Sequence, residues 1–204
     1  MLFRSKSFVD LLADSDVISG IKVDLSTHDL AGAPGEFITE GLDGLRARLA
    51  EYYELGARFA KWRALLIISD GKPSDYAIHT NAHALARYSA LCQEQGIVPI
   101  VEPEVLMDGK HSIDDCLSAT TRALNAVFAE LEKQNVDIEG IVLKPNMVIS
   151  GSDALDRASA EEVARKTIDC FLETVPSSVP GIAFLSGGQG DEESVVNLDA
   201  INKI

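Results

Sequence analysis

Five compact apolar runs, each ending on a polar residue, recur along the chain. Ile21 leads into Lys22, Phe59 and Ala60 into Lys61, Val98 to Val101 into Glu102, Ile141 to Leu143 into Lys144, and Ile182 to Leu185 into Ser186. The steps between positions 22, 61, 102, 144 and 186 are 39, 41, 42 and 42 residues. That spacing fits one strand, one helix and two loops per step. A period near forty also fits a helical solenoid. Each period opens on a short, β-branched-rich run and continues with helical periodicity, which favours repeated βα units.

The intervening pattern predicts the remaining elements. An apolar-periodic segment covers Phe8 to Leu12, with Met1 to Phe3 before it as the remnant of a strand, and Gly20 to Asp24 is the first clear strand. Leu25 to Phe37 reads as a loop, and Thr39 as the cap of a helix carrying Leu42, Leu45, Leu49, Tyr52 and Tyr53. Ala57 to Trp62 is a strand, with Leu65 to Ile68 a further apolar run; Trp62 is expected on the outward, helix-facing side. Helices follow over 78–95 and 112–134, then strand 136–144. Ser159 with Glu162 forms a capping box for the next helix, Pro180 to Ser186 is the last strand, and a helix begins at Glu192.

Length and composition narrow the reading. The 204 residues suit a single domain over 1–204, whereas a complete eight-unit barrel needs about 250. The formal charge of −14 argues against a nucleic-acid partner, which requires several cationic phosphate contacts. Cys92, Cys116 and Cys170 fall in predicted helices and read as reduced, buried thiols. No secretory leader pattern and no apolar run of membrane-spanning length is present, so a soluble, cytoplasmic protein without a membrane partner is expected.

The strand ends carry the candidate chemistry. Lys22, Lys61, Glu102, Lys144 and Ser186 would point towards one rim. A lysine amine becomes a nucleophile towards a carbonyl when desolvation or neighbouring cations lower its pKa, and Lys22 and Lys61 are placed to do this for Lys144. Glu102 could transfer the protons of imine formation, with Glu104 on the same side by strand alternation. Gly187 and Gly188 offer backbone N–H groups and Ser186 a hydroxyl for a phosphate, and Arg63 offers a fork for a second. Each has a plainer alternative. Lys144 can be a strand-end lysine that snorkels, Glu102 and Glu104 surface carboxylates, and Lys22 a partner of Asp24. His79 and His83 share a helix face but lack the intervening glutamate and a third ligand for zinc; no metal site is read from them. His28 and His111 carry no assigned role. There is no GxGxxG or P-loop pattern.

At these residues the chain resembles the Schiff-base, class I fructose-bisphosphate aldolases. The matching stretches are GIKVD (20–24), GLDGL (41–45), FAKWR (59–63), VPIVEPEVL (98–106), LKPNMV (143–148) and FLSGGQ (184–189). The resemblance implies a (β/α)8 TIM-barrel fold, here incomplete, lacking the first and last barrel strands and the C-terminal tail. It also implies glycolytic cleavage of fructose 1,6-bisphosphate into dihydroxyacetone phosphate and glyceraldehyde 3-phosphate. Lys144 would form the Schiff base, Glu102 move its protons with Glu104 in support, Lys61 stabilise anionic intermediates and Lys22 complete the charged network. Ser186, Gly187 and Gly188 would hold one phosphate, with Arg63 near the other.

No cofactor or metal is implied, phosphorylated sugars and trioses are the partners, and a homotetramer is the family's habit for a full-length chain. Leu25 stands where the family usually has a lysine, and Phe3, Arg4 and Ser5 where it has an FHE-like segment. A truncated, inactive binding or scaffold protein is the alternative. A metal-dependent lyase is a third reading, which the histidines support poorly.

Overall fold

The computed structural model describes residues 6–204, so the strand remnant expected at Met1 to Phe3 lies outside the described residues. In chain order the elements are α1 (Phe8–Asp14), β1 (Gly20–Lys22), β2 (Thr27–Asp29), β3 (Phe37–Thr39), α2 (Leu45–Glu54), β4 (Phe59–Leu66), α3 (Asp75–Glu94), β5 (Val98–Val105), α4 (Ile113–Lys133), β6 (Val142–Leu143), α5 (Ala160–Thr174) and α6 (Asp191–Ile201). Four strands form a parallel sheet in the order β1-β4-β5-β6. Lys22 lies beside Lys61, Lys61 beside Ile100, and Val101 beside Leu143. This is the βα arrangement that the forty-residue period predicts.

The alternation along β4 separates two environments. Ala60, Trp62, Ala64 and Leu66 are buried, whereas Phe59, Lys61, Arg63 and Leu65 are only partly covered. Trp62 faces the helix layer as expected, its ring stacked on Tyr88 of α3 with centroids 5.6 Å apart. The Tyr88 hydroxyl donates to the Ala60 carbonyl at 2.6 Å, which ties α3 to the strand through a buried polar contact. Leu85, Cys92 and Val101 complete this core. A second core packs α4 and α5 over Leu143, Met147 and Val148.

Several local readings change. The predicted loop from Leu25 to Phe37 contains β2 and ends at β3, which together form a small antiparallel pair. Thr39 belongs to β3 instead of capping α2; its hydroxyl donates to the Arg63 carbonyl at 2.7 Å. Gly44, in the left-handed region at φ 67°, precedes α2 in its place. The two apolar runs at 57–62 and 65–68 merge into the single strand β4. Helix α3 starts three residues earlier than its apolar pattern suggests, because the Ser74 hydroxyl accepts from the Ala77 N–H.

Strand 136–144 shortens to β6, since Asp137 caps a 3-10 turn over Ile138–Gly140. Pro180 to Ser186 pairs without forming a regular strand: Ala183 N–H donates to the Leu143 carbonyl at 2.9 Å and Leu185 N–H to the Pro145 carbonyl at 3.2 Å. Ser159 accepts from the Glu162 N–H, while the reciprocal capping box is seen at Ser112 and Asp115. Cys92, Cys116 and Cys170 are buried free thiols within helices, and burial pushes the first two up to about 12 and about 11.

Candidate active site

The face of β4 and β5 turned away from the helices carries the charges. The alternation that buries Trp62 puts Lys61 and Arg63 opposite it, and the same two-residue period places Glu102 and Glu104 together on β5. The chain leaves β6 at Lys144, whose N–H donates to the Val101 carbonyl at 2.7 Å; Pro145, lacking an N–H, makes no further donation to β5. Three neighbouring strand ends therefore deliver their side chains to one place.

Glu102 is the centre of that place. Its side chain is only 4% exposed, yet Lys144 Nζ donates to Oε1 at 2.7 Å and Lys61 Nζ lies 3.1 Å from Oε2. The Lys61 approach is an ion pair without hydrogen-bond alignment, which leaves Oε2 free to accept a better-directed proton. A buried carboxylate held between two ammonium groups is compensated for its desolvation. Lys144, 29% exposed in its side chain, is both shielded by the sheet and reachable from outside.

The other charges pair off beside it. Lys22 Nζ donates to Asp24 Oδ1 at 2.5 Å, the pairing that the sequence offered as the plainer alternative. Asp24 is itself buried, and its second oxygen receives the Arg63 N–H at 3.4 Å. Arg63 Nε donates to Glu104, which raises the guanidinium pKa above its ordinary value. Each lysine thus has a carboxylate partner, so the amines do not face one another uncompensated as their grouping in the sequence suggested. Glu104 acts here as the anchor of Arg63.

Ser186, Gly187 and Gly188 form a turn after the pairing segment. Gly187 and Gly188 have φ of 62° and 87°, in the left-handed region that favours glycine. A side chain at Gly188 would crowd Met107 Sδ, at 3.1 Å. Gln189 pins the turn: its Nε2 donates to the Ser186 carbonyl at 3.0 Å and its Oε1 accepts from Asn197 of α6 at 2.7 Å. Helix α6 starts at Asp191, so the glycines precede the helix start instead of forming it. Among the described residues no hydrogen bond or ion pair joins this turn to the Lys144–Glu102 pair.

One contributor escaped the sequence reading, whereas Asp24 was legible there as a partner of Lys22. Asn146, buried two residues after Lys144, accepts from the Val105 N–H at 3.0 Å and donates to Thr120 Oγ1 at 3.1 Å. It clamps the end of β5 to the loop that follows the lysine. Asp24 has a short-range signal, since it shares a strand face with Lys22; Asn146 has none, because its partners lie 41 and 26 residues away. His79 and His83 both turn to Glu130 of α4, with His83 Nδ1 3.0 Å from Oε2. Among the described residues no three His, Cys, Asp or Glu side chains are gathered as for a metal ion. No helix among them is long and apolar enough to cross a membrane.

A parallel βα sheet that brings an amine and a buried carboxylate into contact at its strand ends defines an α/β protein of the class that gathers its functional groups at that rim. A family model described as fructose-bisphosphate aldolase class-I matches residues 3–204, and the chain belongs to that family. It is 56% identical over 197 residues to a probable fructose-bisphosphate aldolase class 1 of Xanthomonas campestris, covering 97% of this chain and 59% of that protein. It is 54% identical over 199 residues to the cytoplasmic isozyme 2 of Pisum sativum fructose-bisphosphate aldolase, covering 98% and 55%.

The solved Plasmodium falciparum aldolase, a ternary complex with TRAP and a small-molecule inhibitor, superposes with a TM-score of 0.93 at 47% identity. That alignment covers 95% of this chain and 56% of that one. The fold is accordingly that of the aldolase TIM barrel, present here in part. The chain spans little more than half the length of the curated relatives it matches.

Proposed function

We propose that this protein performs, or contributes most of the machinery for, reversible Schiff-base cleavage of fructose 1,6-bisphosphate to dihydroxyacetone phosphate and glyceraldehyde 3-phosphate. The observation that carries this reading is the contact of Lys144 Nζ with Glu102 at 2.7 Å, with Lys61 against the other carboxylate oxygen. In that pair Glu102 is within reach to take the ammonium proton, which frees the amine to add to the substrate ketone. Glu102 returns that proton to the carbinolamine hydroxyl, which leaves as water, so that a protonated imine forms and the carboxylate is restored. That imine receives the electron pair of the breaking carbon–carbon bond while the substrate hydroxyl on the departing fragment gives up its proton to Glu102. Lys61 offsets the negative charge that develops, and Lys22 with Asp24 sets the charge of the adjoining strand end. Because the lysine imine holds the electrons, no metal or organic cofactor enters the scheme.

Ser186, Gly187 and Gly188 are assigned to one substrate phosphate and Arg63, steadied by Glu104, to the other. Residues 1–204 are read as one aldolase unit that works in the cytoplasm, as the names of its plant relatives state for them, and that joins a homotetramer in a full-length setting. The test is intact mass after incubation with dihydroxyacetone phosphate and borohydride. A single adduct, lost in Lys144→Ala, supports the assignment; a folded protein that takes up no adduct rejects it for this chain. The second reading, an inactive binding protein, predicts ligand binding without trapping or cleavage.

A further inference from the structure

Lys61 and Lys144 reach Glu102 from the two neighbours of β5, and those neighbours are held to β5 in different ways. On the β4 side the parallel register runs from Phe59 beside Val98 to Leu66 beside Val105, and Leu106 N–H donates on to the Leu66 carbonyl at 2.9 Å. Glu102 and Glu104 are therefore fixed against Lys61 and Arg63 by the main chain. On the β6 side the register covers only Ile100 beside Val142 and Val101 beside Leu143. Its last backbone bond runs from Lys144 N–H to the Val101 carbonyl at 2.7 Å. Among the described residues no backbone hydrogen bond joins 102–105 to 145–148.

The sequence of β5 accounts for the gap. Carried on from Val101, the residues that turn their main chain to this neighbour are Pro103 and then Val105. Pro103 has no N–H to give. Val105 does, and it meets a side chain instead of a main-chain carbonyl: its N–H donates to Asn146 Oδ1 at 3.0 Å. Asn146 is 2% exposed, and its Nδ2 donates to Thr120 Oγ1 at 3.1 Å and to the Met147 carbonyl at 3.0 Å. The amide is thus held by α4 and by its own loop while its oxygen reaches β5. The loop is tied on its other side too, where Leu185 N–H donates to the Pro145 carbonyl at 3.2 Å.

We infer that Asn146 is a positioning residue of the reactive pair: its side-chain oxygen supplies the missing rung between β5 and the chain leaving β6, and so holds Lys144 Nζ 2.7 Å from Glu102 Oε1. Without that rung the two strands are free to part beyond Val101. Glu102 then stays with Lys61, which the β4 ladder keeps beside it, and Lys144 moves with the loop. Asn146 forms no hydrogen bond with Lys144 or Glu102; it acts through the strand ends that carry them. A misplacement of about 1 Å at such a pair can cost about 100-fold in rate.

This inference rests on the Lys144 chemistry proposed above, and one of its two readouts needs no substrate. Asn146→Leu removes the rung, Asn146→Asp keeps an acceptor for the Val105 N–H, and Thr120→Val keeps the rung while removing a partner of the amide nitrogen. All three are expected to lower the urea midpoint, so stability alone does not separate them. The first readout is brief acetic anhydride labelling followed by peptide mass, with Lys61 as the internal reference. Lys144 released from Glu102 should turn to solvent and react about fivefold faster in Asn146→Leu, and within about twofold of the parent in the other two. The second is the rate of trapping with dihydroxyacetone phosphate and borohydride, which should fall by about 10–100-fold in Asn146→Leu and be regained in Asn146→Asp. Should Asn146→Leu not fold, Asn146→Ala takes its place.

A parent that takes up no adduct rejects the aldolase reading, and the labelling ratio of Lys144 to Lys61 then decides alone. An unchanged ratio in the folded rung-deleted variant overturns the inference, as does a Thr120→Val protein that shifts the ratio equally. In a parent that does trap, a slow Asn146→Asp overturns it as well.

Discussion

The two faces of β4 and β5 use the same strands for opposite purposes. On the helix side, Trp62, Tyr88, Leu85 and Val101 exclude water and hold the layers together. On the other side, Lys61, Glu102 and Lys144 keep charge inside the protein, partly uncovered, in contacts whose attraction is offset by the cost of taking the charges out of water. A strand's period of two lets stability and reactivity sit one residue apart without interfering. Trp62 lies between Lys61 and Arg63, and Pro103 between Glu102 and Glu104.

That separation can be broken from either side. The largest effect is expected from Lys144→Ala, which removes the borohydride-trapped adduct and lowers turnover of an active form by at least about 1,000-fold. Its stability should fall by only about 1–2 kcal/mol in urea titration, because buried Glu102 keeps Lys61 as a counter-charge. Trp62→Ala should do the reverse. Emptying a fully buried indole costs about 3–5 kcal/mol, read as a lowered denaturant midpoint, while protein that remains folded still traps the adduct. A Trp62 variant that keeps its stability but loses trapping would erase the distinction between the faces.

Glu102→Gln probes the meeting point of the two. It retains the shape of the side chain but cannot take a proton, so the rate of adduct formation should fall by about 100-fold at neutral pH. Stability should drop by only about 1–2 kcal/mol as two lysines lose their shared partner. Chemical quench followed by mass measurement gives the first quantity and urea titration the second; an undiminished rate would remove Glu102 from proton transfer.

The smallest effect lies in the helix layer. Hydrogen bonds from Lys133 and then His83 lower the Glu130 pKa from 4.5 to about 2. A carboxylate depressed on folding adds stability above the unfolded value that fades as pH falls from about 4.5 through about 2. Glu130→Gln should flatten that part of the acid-stability curve by about 1 kcal/mol, with adduct trapping at pH 7 unaffected.

Much of this division is written in local pattern. The spacing of the apolar runs announces the βα repeat, and the alternation of Lys61, Trp62 and Arg63 states which residue faces the helices. The hairpin of β2 and β3 was not legible, because its three-residue strands carry no period long enough to distinguish them from a loop. Nor was the shortening of β6, where one Asp137 hydrogen bond turns an apolar run into a 3-10 turn. The cap at Thr39 failed for a related reason: the residue type suits a helix start, but a partner 24 residues away claimed its hydroxyl.

By itself the sequence determined the family and the parallel βα order and singled out Lys144 as the candidate nucleophile, since each rests on residue type and spacing along one dimension. Only the tertiary structure decided who pairs with whom. It gave Lys144 and Lys61 to Glu102, Lys22 to Asp24 and Arg63 to Glu104, and it placed Asn146 under the end of β5. Those outcomes depend on strand register and on distances across the fold, and electrostatics and hydrogen bonding act over a few ångströms in space, whatever the separation along the chain.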